Sequence, residues 1–451
     1  MAVFEGRDGS KTAIVFGDER ISYVEFDDRI ARATTVLTEL TSGDGRPIAV
    51  GLRNRPEFYE LTHAAARLDI EVVPVSWRFM RDEVEHMVTD SEAALLIAED
   101  GAPVAGTSLT LSAYREARVA APARRRGTAR PVTFRYYTSG TSGRPKAVER
   151  ARVPSDVAIE RARALCARFG IDGSDHVHLA CGPLYHTAPC AYSHYALLFG
   201  QTVVLMERFD AEDSLRLIQD ERVTWSHMVP INFVRILAVD DADRYDLSSL
   251  RRVLHAAAPC PVDVKRKIMG LFPPGVVWEY YGMTEGMATM ITAEEWQRKP
   301  GSVGRAWPGQ SVKVLDDEGN ECTPHEVGIV YASGARFSYK GDAAKTEAAW
   351  RGDLFTVGDM GYLDDDGYLF LTDRAHDMII TGGANVYPAE VEAVLYQHPG
   401  VGDVTVIGIP DDGFGEAVHA IVEPRAPLDP EQLIAFARER LAHYKCPRSV
   451  E

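Results

Sequence analysis

The stretch Thr138–Lys146, which reads TSGTSGRPK, combines residue types that bind phosphate. Its glycines let backbone N–H groups approach phosphate oxygens, its hydroxyl side chains donate further hydrogen bonds, and its lysine adds a positive charge. A Walker P-loop would need GxxxxGK followed by Ser or Thr, whereas Lys146 follows Pro145 and precedes Ala147. A plain surface turn rarely needs so many glycines and hydroxyls, so the stretch predicts a phosphate-binding loop of another kind.

Two further stretches carry residue types suited to a nucleotide. WEYYGMTEG (278–286) brings aromatic rings, Thr284 and Glu285 together around a glycine. An aromatic ring can stack on a base, a hydroxyl can contact phosphate, and a carboxylate can hold Mg²⁺. In TVGDMGYL (356–363), Asp359 could accept hydrogen bonds from a ribose diol. Taken singly, each residue is equally explained by an ordinary core, solvated or turn position.

Composition narrows the function classes. The chain has 451 residues, 45% of them hydrophobic and 25% charged, which is typical of a globular protein with two or more domains. Its net charge of −17 argues against a general nucleic-acid binder, because phosphate-backbone binding needs clustered Lys and Arg. The six cysteines form no CxxC pair, which favours reduced thiols. We see no signal peptide and no apolar run long enough for an integral membrane segment, so a cytoplasmic location is expected.

The order of apolar runs predicts an α/β fold. Segments 202–206, 223–229 and 276–282 are strand-like, and they alternate with helical patterns at 211–221, after an Asp210 cap, and at 261–272. Such alternation indicates parallel sheets covered by helices, which bind ligands beyond the carboxyl ends of their strands.

The pattern changes near residue 360. A DDDG turn between two apolar runs predicts a hairpin. A helix near the end is predicted to have one apolar face, formed by Leu433, Ile434, Phe436, Ala437 and Leu441. We therefore expect a large N-terminal domain of several subdomains over residues 1–372 and a small α+β C-terminal domain over 373–451.

Seven motifs, taken in order, resemble the adenylate-forming (ANL) superfamily, which comprises acyl- and aryl-CoA synthetases, luciferases and peptide-synthetase adenylation domains. The chain is most similar to the acyl-CoA synthetase, or fatty-acid–CoA ligase, type. The resemblance covers residues ~130–450, and the preceding region fits the family's N-terminal subdomain loosely. The motifs are YYTSGTSGRPK (136–146), PLYHTAP (183–189), HAAAP (255–259), YYGMTEG (280–286), GSVGRAWPG (301–309), VGDMGYLDDDGYLFLTDR (357–374) and TGGANVYPAEVE (381–392).

The resemblance implies a role for each matching residue. It gives catalytic roles to Lys146, His186, Thr284 and Glu285, and makes Thr141 and Glu285 the ligands of Mg²⁺. ATP phosphates are assigned to Thr138, Ser139, Gly140, Thr141, Ser142, Gly143 and Lys146, with Thr284 on the α-phosphate. Adenosine is assigned to Ala257, Ala258, Tyr281, Asp359 and Arg374, and the pantetheine of coenzyme A to Gly383. The acyl site is assigned to His186, Trp225, Met228, Val229 and Ala256.

The implied reaction activates a carboxylic acid with ATP. A carboxylate oxygen attacks the α-phosphate, pyrophosphate leaves, and coenzyme A then displaces AMP to give a thioester. Because both reactants are anionic, Mg²⁺ and lysine must neutralise their repulsion. Expected partners are therefore a small carboxylic acid and coenzyme A, and the resemblance allows a homodimer.

The chain departs from the family at several positions. Ser142 replaces the usual Thr, Ala147 replaces Gly, and His376 stands at the hinge where relatives carry Lys or Asp. The family also has an essential lysine some 15–20 residues beyond a stretch like LAHYKCPRSVE, whereas this sequence ends at Glu451. We therefore expect an incomplete C-terminal domain, either trimmed from a longer protein or natively lacking that lysine.

Three other functions stay open. An amino-acid adenylation domain is disfavoured because no acidic residue lies between Gly182 and Glu207 to hold a substrate ammonium. Activation of another oxyanion, such as nitrite for diazotisation of an aryl amine, would use the same nucleotide motifs. A non-catalytic nucleotide sensor is the remaining alternative. Tyr192, His194 and Trp225 hint at an aromatic and polar acyl pocket, but the sequence does not identify the acid.

Overall fold

The computed structural model describes residues 8–41, 43–124, 130–138, 146–374, 379–381, 384–386, 388–411 and 415–451. Their contacts divide the chain into two compact units. The first unit comprises Met1–Met228, Val239–Leu254 and Arg336–Ala343, and the second comprises Val229–Ala238, His255–Ala335 and Ala344–Glu451.

Helices and strands alternate through most of the described chain. The helices are α1 (Tyr23–Leu40), α2 (Pro56–Arg67), α3 (Arg81–Ser91), α4 (Leu111–Ala120), α5 (Ser155–Arg168), α6 (Thr187–Leu198), α7 (Ala211–Asp220), α8 (Pro230–Ile236), α9 (Val262–Leu271), α10 (Ala293–Arg298), α11 (Ala343–Ala348), α12 (Pro388–Leu395) and α13 (Pro430–Arg438), with short 3₁₀ turns at Ala242–Arg244 and His443–Lys445.

The strands are mostly short, and several are only two or three residues long. They are β1 (Thr12–Phe16), β2 (Glu19–Ser22), β3 (Ile48–Gly51), β4 (Val72–Pro74), β5 (Leu95–Ala98), β6 (Ser108–Thr110), β7 (Tyr137–Thr138), β8 (Lys146–Arg150), β9 (Val177–Ala180), β10 (Thr202–Leu205), β11 (Trp225–Met228), β12 (Arg252–His255), β13 (Val277–Met283), β14 (Gly286–Ile291), β15 (Arg305–Ala306), β16 (Val312–Leu315), β17 (Gly328–Ser333), β18 (Phe337–Tyr339), β19 (Trp350–Arg351), β20 (Leu354–Phe355), β21 (Asp359–Leu363), β22 (Leu369–Arg374), β23 (Ile379–Thr381), β24 (Ala384–Val386), β25 (Val401–Asp411), β26 (Gly415–Pro424) and β27 (Ser449–Val450).

The first unit contains two sheets that are largely parallel. One has the order β12-β11-β9-β10-β1-β2, in which β9 pairs in parallel with both β10 and β11. The other, β4-β3-β5-β6, is parallel throughout. Every residue of β3 is buried, as expected of a strand covered on both faces. These sheets confirm the predicted α/β class, and the predicted cap is present, since the Asp210 carboxylate accepts the Asp213 N–H at 2.9 Å.

A small third sheet of the first unit flanks the glycine-rich stretch. Its order is β18-β8-β7, and Thr138 of β7 is the register partner of Lys146 of β8. The two ends of the predicted phosphate-binding stretch are therefore adjacent strands of one ladder.

The second unit is built mainly from antiparallel pairs. Strands β13, β14 and β15 form one ladder, and β16, β17 and β19–β22 form a six-stranded sheet. The predicted hairpin near residue 360 is confirmed as β21 and β22. Gly304 has a φ of 101°, and a Cβ there would lie 2.0 Å from the Met290 carbonyl oxygen, which explains the glycine in GSVGR.

The C-terminal segment has an antiparallel sheet of its own. Strands β24-β23-β26-β25 are joined by β27, which pairs with β26. Leu433 and Ala437 of α13 are fully buried in its core, and Leu441, beyond the end of the helix, packs against them. Ile434 and Phe436 of the predicted face are half-buried. The predicted boundary between residues 372 and 373 stays a prediction. Among the described helices, none has the length and hydropathy needed to cross a membrane.

Three of the buried histidines of the first unit, His178, His194 and His227, lie against aromatic side chains. His178 stacks on Trp225 with ring centroids 3.8 Å apart, and His227 stacks on Tyr192 at 5.4 Å. Burial lowers the pKa of His178 to about 3 and those of His194 and His227 to about 4. All three imidazoles are therefore neutral in the folded protein at physiological pH.

These histidines predict loss of stability in mild acid. In the unfolded chain these histidines bind protons near pH 6.5, whereas in the folded protein they stay neutral. Their contribution to the free energy of unfolding is therefore fully present above pH 6.5 and is lost as the pH falls. Between pH 6.5 and pH 5, the free energy of unfolding of His178→Gln should fall by about 1 to 2 kcal/mol less than that of the wild type. Thermal unfolding at both values should give a shallower decline for the variant than for the wild type.

The variant comparison is needed because buried carboxyls act in the opposite direction. Burial raises the pKa of Glu60, for example, which favours the folded state in acid. His443→Gln, at an exposed position, should leave the slope of the wild type unchanged. Equal slopes for His178→Gln and the wild type would contradict the assignment.

Candidate active site

Tyr281 and Asp359, assigned to the adenosine, are in contact in the second unit. The Tyr281 hydroxyl donates a hydrogen bond to Asp359 Oδ2 at 2.5 Å, although the residues are 78 positions apart. Tyr281 comes from the long strand β13, and Asp359 is the first residue of β21. An aromatic ring and a carboxylate from distant parts of the sequence are thus held together by one hydrogen bond.

The sharp turn after β13 presents Thr284 and Glu285. Met283 pairs with Gly286, so Thr284 and Glu285 form the two-residue connection to β14. Thr284 is half-buried and Glu285 is buried. A Cβ at Gly286 would lie 2.9 Å from the ring of Phe355, which accounts for the glycine that closes this motif.

The donor atoms of this turn suit Mg²⁺. Carboxylate and hydroxyl oxygens are hard ligands, and Mg²⁺ is usually held by one or two carboxylates with substrate phosphates and water. Over the residues that the structure describes, no group of three or more His, Cys, Asp or Glu side chains could hold a metal by itself. The Glu285 carboxylate and the Thr284 hydroxyl fit the donor chemistry of Mg²⁺.

The Ala256–Ala258 turn follows β12. Ala256 is buried, whereas Ala257 and Ala258 are exposed. Ala257 has a φ of 77°, in the left-handed region that favours glycine. The turn therefore exposes backbone, and its two small side chains leave that backbone accessible to a flat ligand.

A buried ion pair lies beside β13 and the Ala256–Ala258 turn, and the sequence analysis did not predict it. Lys265 of α9 pairs with Glu279 of β13, and His255 Nε2 lies 3.6 Å from Glu279 Oε2. Burial raises the pKa of Glu279, and the Lys265 ammonium opposes that rise. The three side chains join the base of the Ala256–Ala258 turn to β13, two residues before Tyr281. The signal in the sequence was a lysine three positions from Val262 and from Ile268, on the apolar face of α9.

Of the residues assigned to the ATP phosphates in the first unit, the structure describes the two at the ends of the stretch. Thr138 and Lys146 are paired across β7 and β8, and the Lys146 ammonium forms an ion pair with Asp342. Ser139, Gly140, Thr141, Ser142 and Gly143 lie outside the described residues, so their roles stay predictions.

His186 stands immediately before α6, where it is the N-cap residue. It is exposed to solvent, yet the protein packed around the ring, and secondly the Arg78 guanidinium, lower its pKa. The imidazole is consequently neutral near pH 7 and able to accept a proton.

The residues assigned to the acyl group differ in burial, since Trp225, Met228 and Ala256 are buried whereas His186 is exposed. Trp225 and Met228 of β11 are buried, and the Trp225 indole N–H donates to Gln201 Oε1 at 2.8 Å. Tyr192 and His194 are also buried, and Val229, in the second unit, is half-buried. Whether any of them contacts an acyl group stays a prediction.

Three assigned residues of the C-terminal motifs are described only in part or not at all. The backbone of Arg374 lies opposite Asp359 in the β21–β22 ladder, which agrees with a shared ribose role without testing it. Gly383 and the hinge residue His376 lie outside the described residues.

Comparison with protein families matches both parts of the chain. A family model of AMP-binding enzymes matches residues 4–338, and a model of the C-terminal domain of AMP-binding enzymes matches residues 390–451.

Similar proteins extend over nearly the whole chain. A 2-succinylbenzoate–CoA ligase from Bacillus licheniformis is 32% identical over 97% of this chain and 92% of its own length. A feruloyl-CoA synthase from Amycolatopsis is 33% identical over 98% of this chain and 91% of its own length. The solved o-succinylbenzoate CoA synthetase of Bacillus subtilis, in complex with its acyl-adenylate intermediate, superposes with a TM-score of 0.85 at 27% identity, covering 98% of this chain and 91% of that one. That synthetase has also been solved with ATP and magnesium.

The left-handed backbone at Ala257 predicts a stabilising substitution. Ala257→Gly should increase the free energy of unfolding by about 0.5 to 1 kcal/mol, because glycine adopts this conformation without the penalty of a Cβ. Ala258→Gly, at a neighbour without a positive φ, should lower it by a similar amount through greater freedom of the unfolded chain. Thermal unfolding midpoints would measure both changes, and a lower midpoint for Ala257→Gly than for Ala258→Gly would contradict the described turn.

Proposed function

Because the chain belongs to the family of AMP-binding enzymes, we propose that it is an AMP-forming acid–CoA ligase. It activates a carboxylic acid as an acyl adenylate at the expense of ATP and transfers the acyl group to coenzyme A. The observation that carries this proposal is the Tyr281–Asp359 hydrogen bond, beside a turn that presents Thr284 and Glu285. It gathers an aromatic ring, a carboxylate, a hydroxyl and a metal-binding acid, which are the groups that an adenosine phosphate requires.

The first half-reaction joins two anions. A carboxylate oxygen forms a bond to the α-phosphorus of ATP, the bond from that phosphorus to the bridging oxygen breaks, and pyrophosphate leaves with the electron pair. Glu285, together with Thr141, would hold Mg²⁺, which would supply charge neutralisation on the phosphates. Lys146 contributes a second positive charge, Thr284 donates to the α-phosphate, and Tyr281 and Asp359 fix the adenosine so that the reacting atoms stay close.

The second half-reaction forms the thioester. The sulfur of coenzyme A bonds to the acyl carbon, the bond from that carbon to the AMP oxygen breaks, and AMP leaves. The thiol proton must be removed as the sulfur attacks. His186 is neutral because desolvation and Arg78 lower its pKa, so it is suited to accept that proton.

Carboxylic acids, fatty or aromatic, are the proposed substrates. The two similar enzymes named above act, by their names, on an aromatic dicarboxylate and on ferulate, and both form CoA thioesters. Nitrite activation and amino-acid adenylation have no such support. A cytoplasmic location and a homodimer stay predictions.

The proposal is tested by product identification. The protein is incubated with ATP, Mg²⁺, coenzyme A and pooled aromatic and fatty acids, with nitrite plus an aryl amine in a parallel reaction. We expect AMP and one new CoA thioester that depends on its acid, read by mass spectrometry. AMP formed only in the nitrite reaction would contradict the ligase assignment.

Substitution at Tyr281 should separate nucleotide binding from chemistry. Tyr281→Phe keeps the ring but removes the hydrogen bond to Asp359, so the KM for ATP should rise about 3- to 10-fold, with kcat changed less than about threefold. Tyr280→Phe is the matched control, since neighbouring strand residues point to opposite faces. An unchanged KM for Tyr281→Phe, or an equal rise for Tyr280→Phe, would contradict the assignment of Tyr281 to the adenosine.

A further inference from the structure

Lys146 already has a carboxylate partner within its own unit. Its ammonium forms an ion pair with Asp342, a residue 196 positions later in the chain. About a quarter of each side chain is exposed, so the pair lies at an accessible edge and is not sealed in the core. A phosphate group can therefore reach the same ammonium from solvent.

Backbone pairing fixes the position of Asp342. Strand β18 runs antiparallel to β8, with Tyr339 opposite Val148, and the Lys340 N–H donates to the Ala147 carbonyl at 3.0 Å. The chain then turns, and the Asp342 N–H donates to the Tyr339 carbonyl at 3.1 Å. Asp342 is thus brought to Lys146 by the sheet itself, and the carboxylate would remain nearby if the ion pair opened.

The same sheet is anchored a second time, at Asp90 of α3. The Tyr137 hydroxyl donates to Asp90 Oδ2 at 2.6 Å, and the Lys340 ammonium donates to the Asp90 backbone carbonyl. Tyr137 belongs to β7, which leads into the glycine-rich stretch, and Lys340 follows β18. Both strands beside β8 are therefore held independently of the Lys146–Asp342 pair, so losing that pair should leave the sheet in place.

We propose that Asp342 is the resident counter-ion of Lys146, and that it competes with the phosphates of ATP and with pyrophosphate for that ammonium. This inference rests on the proposed function, in which Lys146 contacts phosphate. A single ammonium in contact with a carboxylate is largely neutralised, and a polyphosphate that approaches it is repelled by the carboxylate. Asp342 therefore weakens the binding of both nucleotide and pyrophosphate, and it re-forms the ion pair when pyrophosphate leaves.

Competition of this kind affects binding without supplying a catalytic group. Asp342 acts through Lys146 and is a positioning residue. Removal of the Asp342 charge should increase the affinity for both ATP and pyrophosphate. Loss of a purely structural residue would not increase either affinity. Tighter binding of pyrophosphate should also slow turnover when product release limits the rate.

The test is ATP binding to the Asp342→Asn variant, measured by calorimetry with Mg²⁺ at ~0.1 M salt. The amide keeps the shape of the side chain and removes its charge, so the Kd for ATP and the inhibition constant of pyrophosphate should each fall about 3- to 10-fold. The gain should shrink at ~0.5 M salt, because the pair is partly exposed. Asp342→Ser should behave in the same direction if the amide variant folds poorly, and Asp342→Glu should restore wild-type affinity within about twofold.

A double-mutant cycle isolates the pathway through Lys146. In a Lys146→Met background, Asp342→Asn should leave the Kd for ATP unchanged, because the competing ammonium is gone. Glu390→Gln is the matched control, since Glu390 pairs with Lys445 at 2.6 Å and should not alter ATP affinity.

The outcomes separate this inference from the proposed function. A wild-type protein that binds no ATP would overturn both. Wild-type ATP binding with unchanged or weaker affinity in Asp342→Asn and Asp342→Ser would overturn the counter-ion alone. If Asp342→Asn increased the affinity for ATP equally in the wild-type and Lys146→Met backgrounds, the counter-ion role would also be overturned.

Discussion

The repulsion between a carboxylate and a triphosphate is the constraint on which the rest of this structure depends. The protein itself carries a net charge of −17, so the cations that oppose this repulsion must be placed individually. Lys146 is placed by β8 between two anchored strands, and Glu285 is placed at a two-residue turn where it suits Mg²⁺. A cation held ready in the free enzyme needs a partner, and Asp342 supplies one that a phosphate can replace. On this account, the same ion pair that keeps the lysine ordered also limits how tightly the enzyme holds pyrophosphate.

The residues proposed to bind adenosine, which belong to the second unit, rest on buried structure. The Tyr281–Asp359 hydrogen bond joins two strands that are distant in sequence. Beneath it, Lys265, Glu279 and His255 connect α9, β13 and the turn after β12. A buried charge is costly unless it is paired, so removal of one partner would leave an uncompensated charge in the interior of the second unit. The ion pairs of the two units therefore differ in kind: Lys146–Asp342 of the first unit is partly exposed, whereas Lys265–Glu279 of the second unit is buried.

Local patterns in the sequence predicted the elements well. The Asp210 cap, the helix after Pro261 and the hairpin at residue 360 depend on neighbouring residues, and all are present. The resemblance assigned Tyr281 and Asp359 to the same nucleoside, but the hydrogen bond between them was not predicted, because no local rule relates residues 78 positions apart. Asp342 and Lys265 were missed for a related reason. Their sequence neighbourhoods are those of a solvated turn and an ordinary helix, and only the tertiary fold brings each to its partner. The buried state of Trp225 likewise depends on Gln201, which supplies the acceptor for its indole.

The central claim is that a carboxylate oxygen attacks the α-phosphate of ATP. It is tested most directly with the acid substrate labelled with ¹⁸O at both carboxylate oxygens. After complete conversion to the thioester with coenzyme A, the AMP is examined by mass spectrometry. The account predicts that AMP carries one ¹⁸O atom and that pyrophosphate carries none, because the attacking oxygen stays on the phosphorus when the acyl group is transferred. Unlabelled AMP accompanying thioester formation, or label in the pyrophosphate, would contradict it.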